Sequence, residues 1–170
     1  VQTCALPICG DYEYTKHVFV PSEYSGKKVL IEFESVYHNA EVYINGKKAA
    51  YRPYGYTNFY VDTEGLLKYE AQNEIRVIAR NSDQPNSRWY SGTGIYRPVW
   101  LCVMPERHIM PDGVRITTVD YRTGRIAVDV RTSHPGVVYV SVLDVDGRSM
   151  AQFKALSDRL DGQGNLMPEE

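Results

Sequence analysis

Cysteine is scarce in this chain. There are three in 170 residues, and two of them, Cys4 and Cys9, sit at the extreme N-terminus. With His17, His38, His108 and His134 scattered along the sequence, no Cys or His spacing matches a metal site, so neither a metal nor any other cofactor is expected. Cys102, inside an apolar run, reads as a small buried hydrophobe. An excess of one charge is also missing. Lys and Arg number 11 against 11 Asp and Glu before Pro105, and 8 against 10 after it, for a net charge of −2. Neither part has the basic surplus that nucleic acid or an anionic membrane would attract, so no nucleic-acid or membrane partner is expected. No apolar stretch approaches the ~20 residues of a membrane-spanning helix, and helical periodicity is hard to find.

What the sequence does contain is period-two alternation, recurring every 10–15 residues, which predicts an all-β sandwich. Lys16–Val20 alternates and stops at Pro21. Val29, Ile31 and Phe33 share one face of a strand, with Glu32 and Glu34 on the other as a solvated acidic pair. Val42-Tyr43-Ile44 runs into Asn45-Gly46, the residue pair preferred by the tight turn whose two central positions both need positive φ. Phe59 and Val61 share a face, as do Ile75, Val77 and Ala79. Leu66-Leu67 reads as a helical turn, and Arg97–Val103 closes the set. Between Met104 and Asp112, two prolines and a Pro-Asp-Gly triplet mark a boundary. Strands resume at Val114–Val119, Arg125–Arg131, Val137–Val145 and Arg148–Leu156, with Asp146-Gly147 as a turn.

One segment carries more chemistry than the rest. Arg88-Trp89-Tyr90-Ser91-Gly92-Thr93-Gly94-Ile95-Tyr96-Arg97-Pro98 sets two arginines and several aromatics around a glycine hinge and leads into the apolar run at Val99–Val103. Glycine lets the backbone turn sharply, the aromatics offer flat faces with polar edges, and arginine offers a fork of donors. Such a loop suits an object that is polar at its rim and apolar on its face, as a sugar ring is.

Residues 87–97 resemble the segment that closes the N-terminal sugar-binding domain of glycoside hydrolase family 2, which contains β-galactosidases, β-glucuronidases and β-mannosidases. The run Phe33–Lys47, with its Asn-Gly turn, is similar to the core of that domain. Tyr54–Phe59 and Asn73–Val77 fall where its next strands lie. The resemblance implies a jelly-roll (galactose-binding-like) β-sandwich over residues 10–104, a linker over 105–112, and a truncated immunoglobulin-like sandwich over 113–170. An immunoglobulin-like sandwich needs ~100 residues and seven strands, and only four strands follow Asp112. Val1–Ile8 resembles the translation of a sequencing-adapter oligonucleotide, so residues 1–9 are set aside as non-native. The compartment stays open between bacterial cytoplasm and periplasm.

The function implied is that of a non-catalytic N-terminal part of a retaining glycosidase acting on β-galactosides or related β-glycosides. It would buttress a catalytic (β/α) barrel of the same polypeptide and lend a loop to the sugar pocket. Family 2 carries its catalytic carboxylates on that barrel, so no catalytic residue is assigned here. Substrate-binding candidates are Asn86 and Arg88, as hydrogen-bond donors to sugar hydroxyls, and Trp89, as a wall or stacking face. His38 and Asn39 are added from a second segment that approaches the pocket in relatives. Tyr37 stands where some β-galactosidases place a sugar-contacting asparagine, and Asp83 is the aspartate nearest to one that touches substrate in some of them. Tyr51, Tyr54, Tyr56 and Tyr60 read as packing between sheets or domains rather than as a carbohydrate platform. The partners implied are a β-galactoside, the barrel and, as in large family members, further copies in a homo-oligomer. The alternative reading is a stand-alone carbohydrate-binding or structural β-sandwich module.

Overall fold

A computed structural model describes residues 10–82 and 92–156. They divide into two units, with the boundary between Met104 and Pro105. No α-helix occurs among the described residues.

The first unit is a sandwich of two antiparallel sheets. The larger has the order β1 (Asp11–Val20), β7 (Ala71–Arg80), β4 (Ala40–Ile44), β5 (Lys47–Arg52). The smaller has the order β6 (Phe59–Asp62), β2 (Lys28–Phe33), β9 (Val99–Met104). A two-residue pair, β3 (Val36–Tyr37) with β8 (Gly94–Ile95), forms a separate ladder, and its Val36 is buried in the same core. The predicted alternation sets the layers. Ile31 and Phe33 of β2, Phe59 and Val61 of β6, Val42 and Ile44 of β4, and Val77 and Ala79 of β7 all turn inward and are buried. Phe33 stacks on Phe59 with ring centroids 5.1 Å apart. Ile75 packs against this core from its margin.

Polar residues that fall on the inward face are hydrogen-bonded, because an unpaired buried amide is costly. Asn73 is fully buried. Its Oδ1 accepts from Lys68 N–H at 2.8 Å and from Asn45 Nδ2 at 2.8 Å, and its own amide donates to the carbonyls of Lys68 and Ala71. The Asn45-Gly46 turn forms as predicted, with φ of 50° and 79°. Leu66 and Leu67 both donate backbone bonds to Thr63 O, which makes a single turn and not a helix. On the outer face of the larger sheet, Glu41 accepts from Lys48 (3.0 Å) and Arg80 (3.3 Å), and Arg76 pairs with Glu13 (3.2 Å).

Two sequence readings are corrected here. Cys102 is only half-buried; its Sγ lies 3.9 Å from Glu32 Oε2, and partial burial and then the Glu32 carboxylate push its thiol pKa up. Of the two packing roles read for the tyrosine stretch, the one between sheets is excluded for Tyr51, Tyr54 and Tyr56, which are exposed in this chain; Tyr51 lies on β5, and Tyr54 and Tyr56 lie between β5 and β6.

The second unit contains two hairpins. One pairs β10 (Ile109–Asp120) with β11 (Arg125–Thr132), and the other pairs β12 (Val137–Leu143) with β13 (Ser149–Leu156). β10 starts at Ile109, inside the stretch read as linker. It bulges between Ile109 and Val114, where a Cβ on Gly113 would lie 2.5 Å from Met110 O and 2.8 Å from Arg131 O. Asp144 closes the second hairpin by accepting from the N–H groups of Asp146 and Arg148.

Candidate functional site

The strongest convergence of polar and aromatic groups is at one end of the first unit, around β3, the loop after β5, the end of β7 and the start of β8. The inward series of β2 continues through Ser35, which is buried. Its hydroxyl donates to Gly55 O at 2.5 Å and lies 2.6 Å from the Tyr96 hydroxyl, which itself donates to Gly55 O at 2.8 Å. Gly55 is thereby held against Tyr37, so closely that a Cβ there would lie 2.9 Å from the Tyr37 Cα. Tyr37, Tyr56 and Tyr54 then form a chain of edge-on ring contacts with centroids 5.1 and 5.6 Å apart. Tyr54 and Tyr56 keep 55% and 59% of their surface exposed. Partial burial, and next the hydrogen bond with Tyr37, push the Tyr56 phenol above its ordinary pKa of 10.0, so at neutral pH it keeps its proton and can donate.

Beside these rings runs a chain of side-chain hydrogen bonds. Tyr51 OH donates to Asn39 Oδ1 at 3.0 Å, and Asn39 Nδ2 bonds His38 Nδ1 at 3.0 Å. An amide nitrogen can only donate, so Nδ1 is the acceptor and the ring proton sits on Nε2, which donates to Asn81 Oδ1 at 2.8 Å. Asn81 Nδ2 donates in turn to Thr93 Oγ1 at 2.6 Å. Asn39 has φ of 48°, a left-handed conformation that Asn tolerates, and its backbone N–H bonds Pro53 O.

Of the predicted site residues, His38 and Asn39 are brought together, but their hydrogen-bonding atoms are engaged inside the domain. They act here as ties between β3, β5 and β7. Asn86, Arg88 and Trp89 lie outside the described residues. The sequence reading missed Asn81 and Thr93, which join the two flanks of segment 83–91. The signal for Asn81 was present: it continues the inward series Asn73, Ile75, Val77, Ala79, and a buried asparagine there must be bonded.

This end offers hydrogen-bond donors, acceptors and aromatic ring faces. A general acid for glycoside cleavage needs a carboxyl whose pKa is raised. Among the described residues every resolved carboxyl shift is downward, as at Glu41, where the Lys48 hydrogen bond leads, and at Glu70, where the Ser22 N–H leads. Among the described residues no group of three or more His, Cys, Asp or Glu side chains could hold a metal ion.

The chain matches no protein-family model. It is 37% identical over 150 residues to a β-galactosidase of Bacteroides ovatus, an overlap that covers 84% of this chain and 18% of that protein. It is 37% identical over 112 residues to a β-glucuronidase of Formosa agariphila, covering 59% and 11%. Among solved structures it superimposes on a glycosyl hydrolase family 2 member from Bacteroides cellulosilyticus with a TM-score of 0.78 and 26% identity, covering 86% of this chain and 21% of that one. The chain thus spans about a fifth of the length of such relatives.

Proposed function

The chain belongs to glycoside hydrolase family 2, and from that premise we propose that it serves as a non-catalytic, positioning part of a retaining enzyme acting on β-galactosides. Retaining hydrolysis uses two carboxyl groups ~5–5.5 Å apart, one as nucleophile and one as acid and then base. In this reading both belong to a barrel elsewhere in the parent polypeptide. The present chain holds residues 83–91 at the rim of the sugar pocket, where Asn86 and Arg88 donate to sugar hydroxyls and Trp89 covers an apolar ring face. The supporting observation is the tie from His38 through Asn81 to Thr93, with bonds of 2.8 and 2.6 Å, which fixes both flanks of that segment. A segment with fixed flanks presents its donors at lower entropic cost, and orientation of this kind contributes to rate without bond-breaking.

The test compares this chain with a longer polypeptide from the same reading frame, using nitrophenyl β-galactoside. The expected result is no turnover by the chain alone, turnover by the longer protein, and a raised KM there for Arg88→Ala. Turnover by the isolated chain overturns the reading. Millimolar or tighter affinity of the isolated chain for galactose would instead favour a stand-alone carbohydrate-binding module. A second substrate class, β-glucuronides, is favoured by the Formosa agariphila relative. Faster hydrolysis of the nitrophenyl glucuronide by the longer protein would select it.

A further inference from the structure

Among the described residues the two larger sheets of the first unit have four outer strands, and three of them carry the usual protection against further pairing. β1 bears Asp11, Glu13, Lys16 and His17; β5 bears Lys47, Lys48 and Arg52; β6 is only four residues long. β9 has none of these features. Its sequence, Val-Trp-Leu-Cys-Val-Met, is apolar at all six positions. An unbroken apolar strand is the pattern of a strand flanked on both sides and covered on both faces. Yet among the described residues β9 pairs only with β2, leaving a row of backbone groups on its other edge without a neighbouring strand. Trp100 and Val99 remain 54% and 42% exposed.

Next to that edge the sandwich is open. A groove of about 480 Å³ runs between β9 and β1, with Phe33, Ile31 and Val77 at its floor and Val99, Leu101 and Val18 on its sides. The floor residues are those of the central core, so the groove is a continuation of that core and its lining is mainly apolar.

We propose that one further extended strand of the parent polypeptide pairs with the open edge of β9 and inserts alternate apolar side chains into this groove, making a fourth strand of the sheet β6-β2-β9. This rests on the reading of the chain as part of a longer family 2 enzyme. The relatives' length supplies the polypeptide from which such a strand can come, since this chain spans about a fifth of it. The occupant's chemistry follows from the site: five or six residues, apolar at every second position, with main-chain bonds giving affinity and the groove giving register.

Amide hydrogen exchange tests this on two proteins, the 170-residue chain and a longer polypeptide from the same reading frame. In the 170-residue chain, peptides covering 99–104 should exchange about tenfold faster than those covering 28–33, which are flanked on both sides. In the longer protein the two should be protected to within about threefold, and Val99→Lys should restore fast exchange at 99–104 while leaving 28–33 slow. Slow exchange at 99–104 already in dilute 170-residue chain overturns the proposal, because the edge is then covered from within. Protection that appears only as the chain dimerises makes a second copy the occupant and also overturns it. Fast exchange at 99–104 in a longer protein that hydrolyses a β-glycoside rejects the added strand while the functional reading stands. Protection in a longer protein without hydrolysis does the reverse.

Discussion

The two units are made of the same material, antiparallel strands with period-two alternation, and differ in what the apolar residues meet. In the first unit the apolar faces of two sheets meet each other, and Phe33 retains 1% of its surface. In the second, the strands pair as two separate hairpins. Ile116, in the middle of a twelve-residue strand, retains 66%. Val130 and Val138 are its buried apolar residues among those described. Alternation therefore commits a segment to being a strand, whereas burial depends on whether a second face is available to cover it. An uncovered hairpin is marginal on its own.

The sharpest way to break this contrast is by truncation. Phe33→Ala removes a ring stacked on Phe59 and should cost about 3–5 kcal/mol in urea unfolding. Ile116→Ala, which removes exposed surface, should stay within about 0.5 kcal/mol. Equal losses would mean that the second unit has a core of its own. A smaller effect is expected from Asn81→Ala. It removes the acceptor of the His38 Nε2–H inside the first unit, at about 1–3 kcal/mol. In a longer, active protein it should also raise KM more than it lowers kcat. An unchanged KM would separate the tie from the sugar pocket.

Glycine substitutions compare the units at the level of backbone. Gly55→Ala drives a Cβ into Tyr37, and Gly113→Ala drives one into the carbonyls of Met110 and Arg131. Each should cost about 1–3 kcal/mol. The Gly113 loss should appear in the unfolding of the hairpins and the Gly55 loss in that of the sandwich. A single shared transition shifted by both would show that the units unfold together.

The smallest effect is a pH dependence. The Lys48 hydrogen bond, followed by those from Arg80 and Tyr43, holds the Glu41 carboxyl below its ordinary 4.5, against the opposing pull of burial. A lowered folded pKa contributes stability that is complete above 4.5 and is lost as pH falls through the folded value. The melting temperature should therefore decline as pH drops below about 4.5, and Glu41→Gln should flatten that decline. An unchanged slope in the variant would assign it to other carboxyls.

Much of the sandwich was legible because period two is local information. Val29, Ile31 and Phe33, and likewise Phe59 with Val61, fall on the face that alternation assigns them, and Asn45-Gly46 turns where two positive φ values are needed. The tie at the flanks of 83–91 was half legible. His38 and Asn39 were reached through the family resemblance, as a segment near the pocket, but His38 bonds Asn81, 43 positions away, and Asn81 bonds Thr93, a further 12. The inter-sheet part of the tyrosine reading failed because an aromatic stripe has the same sequence whether it packs between sheets or stands on the surface.

The sequence by itself determined the strands, their inward faces, the Asn-Gly turn and the family resemblance, since each depends on residues within a few positions of one another. Only the tertiary structure decided that β1 lies beside β7, that β9 ends a sheet next to an open groove, and that His38 reaches Asn81. These pairings join residues tens of positions apart, and the pleat that tells a side chain which face to take does not tell a strand which neighbour to choose.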